Sequence, residues 1–125
     1  MKVLIVDDNQ DILDLFKDLM GDQYTIITAR NGQEAIDLKD SDKDITVVLT
    51  DIQMPVMDGF TLCQEIRKSD PLSIIIGFTA KYGVSTAFQA RDVGFDDIFT
   101  KPIDPDEMIT LVGLAFQKIK RWTGK

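Results

Sequence analysis

Asp7, Asp8, Asp51, Thr79 and Lys101 are the polar residues of this 125-residue chain whose positions suggest chemistry. Each stands at or just past the end of an apolar stretch. Asp7-Asp8 follows Val3-Leu4-Ile5-Val6, and Asp51 follows Ile45-Thr46-Val47-Val48-Leu49-Thr50. Thr79 follows Ile74-Ile75-Ile76-Gly77-Phe78, and Lys101-Pro102 follows Ile98-Phe99-Thr100. If these stretches are parallel strands of one sheet, all five side chains gather beyond its carboxyl edge, where open α/β sheets bind ligands. Three carboxylates facing one lysine leave an excess of negative charge, and like charges that close raise one another's pKa unless a cation intervenes. Magnesium suits such a set, because it takes one or two carboxylates together with waters and phosphate oxygens. Asp51 is then free to attack phosphorus as a carboxylate nucleophile, giving an aspartyl phosphate. Lys101 neutralises one phosphoryl oxygen and Thr79 donates a hydrogen bond to another. Phosphoryl transfer asks mainly for such positioning and charge stabilisation.

Taken singly, each residue has a plainer reading. Asp7, Asp8 and Asp11 fit as acids in a helix's first turn, favoured by the helix dipole. Asp51 fits a turn, Thr79 a strand end, and Lys101 a solvated loop. Their joint occurrence, at the ends of four runs out of five, is what favours a shared site.

The elements that must position them are legible from periodicity. Strands are expected near 2–6, 24–28, 45–50, 73–78 and 96–99. The first, third and fourth are almost continuously apolar, as strands covered on both faces are, whereas Tyr24-Thr25-Ile26-Ile27-Thr28 is mixed and suits an edge. Between them run helical periods: Asn9 to about Met20, a helix started by Asn31 with Glu34, one capped by Asp58, one near 83–93 stopped by Gly94, and one opened by Asp104-Pro105 that ends near Lys120. Strand and helix alternate throughout, the pattern of an α/β fold with a parallel five-stranded sheet and five helices. A single domain over 1–120 follows, with 121–125 as a basic tail or linker stub.

Composition narrows the function. With 21 acidic and 14 basic residues the net charge is −7, which disfavours nucleic acid as a direct partner. Cys63 is the single cysteine and histidine is absent, so neither a disulfide framework nor a Cys/His metal cluster is available. Cys63 is expected to pack inward as a small hydrophobe. Nothing approaches the roughly 18 apolar residues of a membrane span, and the opening run is too short for a signal peptide. A cytoplasmic location without membrane contact is the expectation.

Val3-Leu4-Ile5-Val6-Asp7-Asp8-Asn9, Asp51-Ile52-Gln53-Met54-Pro55-Val56-Met57-Asp58-Gly59, Phe78-Thr79-Ala80-Lys81 and Asp96-Asp97-Ile98-Phe99-Thr100-Lys101-Pro102 together resemble the receiver domain of two-component response regulators, chemotaxis-regulator-like. The resemblance covers residues 2–120 and implies a flavodoxin-like, doubly wound sheet of order 2-1-3-4-5. It implies that Asp51 accepts a phosphoryl group from the phosphohistidine of a histidine kinase or phosphotransfer protein. Asp7, Asp8, Asp51 and the backbone carbonyl of Gln53 would bind magnesium, Thr79 and Lys101 would contact the phosphoryl oxygens, and the Lys101-Pro102 bond would be cis. Such a domain is a signalling phosphoacceptor, not an enzyme with turnover. Its readout to a downstream protein or output domain would use the fourth helix, fifth strand and fifth helix, with Tyr82, Val84, Phe88, Ile98 and Phe116 as candidate surface residues. It would act as a monomer or a phosphorylation-dependent dimer.

One position departs from the family pattern. Ile98 stands where an aromatic switch residue is common, and Phe99, one residue on, faces the other side of the strand. Lys81 and Gln53 border the site and by resemblance tune dephosphorylation. Competing readings are a receiver fold acting without phosphorylation, an aspartate-nucleophile phosphatase and a flavodoxin. The phosphatase needs a second acid where Gln53 stands. The flavodoxin needs a Ser/Thr/Gly-rich phosphate loop where Asp7-Asp8 stands.

Overall fold

The five apolar runs lie side by side in a single parallel sheet in the computed structural model, which describes residues 1–123. In chain order the elements are β1 (Lys2–Val6), α1 (Gln10–Met20), β2 (Thr25–Ala29), α2 (Gly32–Ser41), β3 (Ile45–Asp51), α3 (Gly59–Ser69), β4 (Ile74–Thr79), α4 (Val84–Val93), β5 (Asp97–Thr100) and α5 (Pro105–Thr123). The strand order β2-β1-β3-β4-β5 is the flavodoxin-like doubly wound arrangement, with the mixed strand β2 at one edge. The order reverses between β1 and β3, which opens the crevice at their carboxyl ends.

Register aligns those ends. Val6 lies opposite Thr50, Asp51 opposite Phe78, and Thr79 opposite Thr100. Asp7, Asp51, Thr79 and Lys101 therefore emerge within about one residue of a common rim.

Both faces of the sheet are buried. Val3, Ile5, Val47, Leu49, Ile76 and Phe78 join a core with Leu13 and Phe16 of α1 and Met108 and Val112 of α5. Leu4, Val6, Val48 and Ile75 join a second core with Ala35 of α2 and Leu62, Cys63 and Ile66 of α3. This two-sided burial is why the central strands read as unbroken apolar runs. Each such Leu or Ile contributes about 1.5–3 kcal/mol relative to an exposed position. Cys63 is fully buried, donates to the Val93 carbonyl at 3.4 Å, and burial pushes its thiol up to about 11. It is an inert hydrophobe.

Helix starts follow the expected caps. Asn9 accepts from the Asp11 N–H, Asn31 from that of Glu34, Asp58 from that of Thr61, and Asp104 from that of Asp106. Gly94 ends α4 at φ 104°, in the left-handed region that glycine enters at least cost.

Two expectations are corrected. α5 does not stop near Lys120 but continues through Thr123, with the Lys118 ammonium 5.4 Å from the Trp122 ring centroid, one turn along. Cations in the last turn suit the helix dipole. Residues 121–123 are thus helix rather than tail, and 124–125 lie outside the described residues. Phe116, taken as a surface candidate, is buried and stacks on Tyr24 with ring centroids 5.1 Å apart. Its place on the Met108–Val112–Ala115 stripe turns it towards the core.

Arg67 escaped the sequence reading. Its guanidinium donates to the carbonyls of Gly94 (2.9 Å), Pro71 (3.1 Å) and Ser73 (2.6 Å) and to the Asp96 carboxylate (2.8 Å). Asp96 in turn accepts from the Ile75 N–H at 2.7 Å. This clamp joins α3, the start of β4 and the turn into β5. Asp96 accordingly has a structural role. An arginine in a helix's last turn carries no local mark of such a role, since the same pattern serves solvated charges.

Candidate functional site

The rim brings the sequence-predicted residues together. One carboxylate oxygen from each of Asp7, Asp8 and Asp51 lies within 4.8 Å of the others. Asp7 and Asp51 are buried and Asp8 is exposed, so the cluster has a closed floor and an open mouth. Lys101 reaches in from the far end of β5. Its ammonium is 3.3 Å from Asp51 Oδ2 and 3.7 Å from Asp7 Oδ2. The Lys101-Pro102 peptide is cis, and the Lys101 N–H donates to the Thr79 carbonyl at 2.9 Å.

The electrostatics are unbalanced. Burial raises the pKa of Asp7 above the ordinary carboxylate value; the Asn9 N–H and Lys101 pull it down, while Asp51 and Asp8 push it further up. Asp51 Oδ2 has Lys101 as its partner. Among the described residues, Asp51 Oδ1 is the one buried side-chain oxygen or nitrogen that lacks a hydrogen-bond partner. An unpaired buried acceptor is costly, and three clustered carboxylates compound the cost. The donor set, hard carboxylate oxygens with net negative charge and a buried acceptor left unpaired on Asp51, fits a small divalent cation.

The β3–α3 loop is held close to the site. The Ile52 N–H donates to the Phe78 carbonyl at 2.9 Å, and the Gly59 N–H returns to the Ile52 carbonyl at 2.8 Å. A Cβ at Gly59 would sit 2.6 Å from the Asp51 carbonyl oxygen, so only glycine lets α3 begin this near Asp51. At the loop's tip Val56 adopts φ 70° with its side chain fully exposed.

Thr79 is fully buried at the end of β4, and its hydroxyl is engaged locally. It accepts from Gln53 Nε2 at 2.8 Å and from the Lys81 N–H at 3.1 Å, and donates to the Lys81 carbonyl at 2.9 Å. Gln53 and Lys81 therefore border the site as expected. Gln53 does so through its side chain, a contact that no spacing rule foretells. Ile98 pairs with Gly77 across β4 and β5, and its Cδ1 occupies the notch left by the missing Cβ, 2.6 Å from where that atom would stand. Phe99 points to the opposite face, its ring centroid 6.4 Å from that of Phe78. Of the surface candidates, Tyr82, Val84 and Phe88 are exposed along the start of α4, with the Arg91 guanidinium 6.0 Å from the Phe88 ring centroid. No helix among the described residues is long and apolar enough to cross a membrane.

Comparison with known proteins agrees with this geometry. The family signature "Response regulator receiver domain" matches residues 3–113. The chain is 39% identical over 110 residues to "Probable transcriptional regulator ycf27" of Guillardia theta, covering 86% of this chain and 42% of that protein. It is 33% identical over 124 residues to "Regulatory protein VanR" of Enterococcus faecium, covering 98% and 53%. The chain thus spans about half the length of the curated relatives it matches. Among solved structures, a response regulator receiver domain protein from Clostridium thermocellum superposes with a TM-score of 0.90 at 27% identity, covering 97% of this chain and 98% of that one.

Proposed function

The chain belongs to the response regulator receiver domain family of two-component systems, and from that premise we propose that Asp51 is its phosphoacceptor. The observation that carries this reading is the Asp51 carboxylate itself: one oxygen lies 3.3 Å from the Lys101 ammonium, the other is buried and unpaired, and the group shares an acidic cluster with Asp7 and Asp8.

In the proposed reaction a carboxylate oxygen of Asp51 attacks phosphorus in the phosphohistidine of a histidine kinase or phosphotransfer protein. A P–O bond forms, the P–N bond breaks, and the imidazole leaves with the electron pair and takes a proton from solvent. Asp7, Asp8, Asp51 and the backbone carbonyl of Gln53 would hold magnesium, which when bound supplies charge neutralisation for the incoming phosphoryl oxygens. Lys101, already 3.3 Å from Asp51, neutralises an oxygen from the other side. Thr79 supplies a hydroxyl donor once its present partners are released. Burial of Asp7 and Asp51 keeps these charges in a medium where they interact strongly. The domain carries the phosphoryl group and does not turn over a separate substrate, so it acts as a switch and not as an enzyme in the usual sense.

The output belongs to the same proposal. An aspartyl phosphate brings about one to two negative charges and three strong acceptors to the rim, which biases a two-state arrangement of the loops around it. The exposed Tyr82, Val84 and Phe88 support α4, β5 and α5 as the surface that a downstream protein, an output domain or a second copy reads, in the cytoplasm.

The test is intact-mass measurement after incubation with acetyl phosphate and magnesium. The wild-type protein gains one phosphoryl mass and Asp51→Asn gains none. An unmodified wild type, under conditions that label other receiver domains, overturns the proposal.

A further inference from the structure

We infer that the Gln53 side chain is a latch that holds the Thr79 hydroxyl in the unphosphorylated arrangement, and so sets how readily the switch turns on; the inference rests on Asp51 being the phosphoacceptor.

A hydroxyl has one proton and two lone pairs. At Thr79 all three are committed: the lone pairs to Gln53 Nε2 and the Lys81 N–H, the proton to the Lys81 carbonyl at 2.9 Å with Gln53 Oε1 as a second, longer acceptor at 3.2 Å. The Gln53 carbonyl oxygen lies 3.2 Å from the same hydroxyl and accepts from the Ala80 N–H at 3.4 Å. One carboxamide thus bridges the loop that follows Asp51 to the end of β4 and the loop beyond it. For Thr79 to donate to an oxygen on Asp51 its proton must leave the Lys81 carbonyl, and the carboxamide must let go or turn. Gln53 therefore stabilises one state selectively, which is the requirement for shifting a two-state equilibrium. The release has an outlet. Lys81 is bound to Thr79 through both its N–H and its carbonyl, and the next residue, Tyr82, begins the exposed apolar surface of the α4 start.

Gln53 is a positioning residue on this account, acting through Thr79, and the test separates that route from a general effect. Beryllofluoride is titrated calorimetrically at saturating magnesium into four proteins: wild type, Gln53→Met, Thr79→Val and the double variant. Methionine keeps the length of the side chain, removes its hydrogen bonds and retains the backbone carbonyl. Gln53→Met is expected to bind on the order of three- to tenfold more tightly than wild type, the worth of one net hydrogen bond. In the Thr79→Val background the gain disappears, because the latch then has nothing to hold. Unchanged or weaker binding by Gln53→Met, or an equal gain in both backgrounds, overturns the latch while leaving Asp51 as acceptor. Failure of the wild type to bind beryllofluoride at all overturns the phosphoacceptor reading, and the latch falls with it.

Discussion

A buried carboxylate oxygen without a partner costs on the order of 1–3 kcal/mol, and at Asp51 that cost falls on the residue the proposed chemistry needs most exposed to an electrophile. Asp7 shows the same tension in its titration. Its pKa is raised chiefly by burial, so the folded protein holds a proton there at a pH where an ordinary carboxylate has lost it. A proton and a cation compete for that oxygen. Magnesium affinity measured calorimetrically is therefore expected to be level near neutrality and to fall on acidification earlier than an unperturbed aspartate would dictate. A profile that stays level until the ordinary carboxylate range contradicts this. Val56 is a second residue held against its preference. A β-branched residue at φ 70° is strained, and its fully exposed side chain has no packing to offset the strain. Val56→Gly is expected to raise stability by about 0.5–1 kcal/mol in urea unfolding, the relief of strain exceeding glycine's entropy cost. A loss of stability would show that the loop is relaxed as it stands.

Between elements, the Lys39–Asp70 pair is a part-buried ion pair that ties α2 to the end of α3. Lys39, in the last turn of α2, is buried, and its ammonium lies 2.6 Å from Asp70 at the end of α3. Burial opposes the ionisation of Asp70, but Lys39, the Ser73 hydroxyl and the Leu72 N–H outweigh it and bring its carboxyl down to about 2. The folded value lies below the ordinary 3.8, so Asp70 contributes stability above 3.8 that is lost as pH falls through about 2. With Asp70 partly solvated, that contribution is about 1–2 kcal/mol rather than the full value of the shift. Asp70→Asn leaves Lys39 buried without its counter-charge and is expected to cost about 3 kcal/mol, read as a lower urea midpoint with unchanged slope. It should also flatten the acid limb of stability between pH 4 and pH 2, roughly the window the pair governs. A variant as stable as wild type would show that the pair is idle. Neither partner was legible beforehand, because a lysine in a last turn and an aspartate after a helix look like ordinary dipole and cap residues. Arg67 was hidden in the same way.

At the scale of the whole molecule, legibility divides along a physical line. Helix caps and the convergence of Asp7, Asp8, Asp51 and Lys101 follow from periodicity and from the rule that parallel strands present their carboxyl ends together, while the strand order is implied by the family resemblance. These features depend on residue type and spacing, which the chain displays openly. Arg67 and the Gln53–Thr79 contact depend instead on which side chains meet across elements, and no local pattern records that, whereas the burial of Phe116 is recorded in the α5 stripe. The run of α5 through Trp122 was misread for a related reason: a basic stretch looks like a tail until its contact with the helix is seen. The site thus stands on backbone topology and the regulation around it on side-chain contacts.

The central claim, that the acidic rim exists to place a phosphoryl group on one particular carboxylate, is tested most directly by locating the modified residue. Protein phosphorylated with acetyl phosphate and magnesium is reduced with borohydride, which converts an acyl phosphate to an alcohol, and its peptides are sequenced by mass spectrometry. Homoserine at position 51 alone is the expected result. Homoserine at position 7 or 8, or an unchanged residue 51 in protein that has gained the phosphoryl mass, would contradict it.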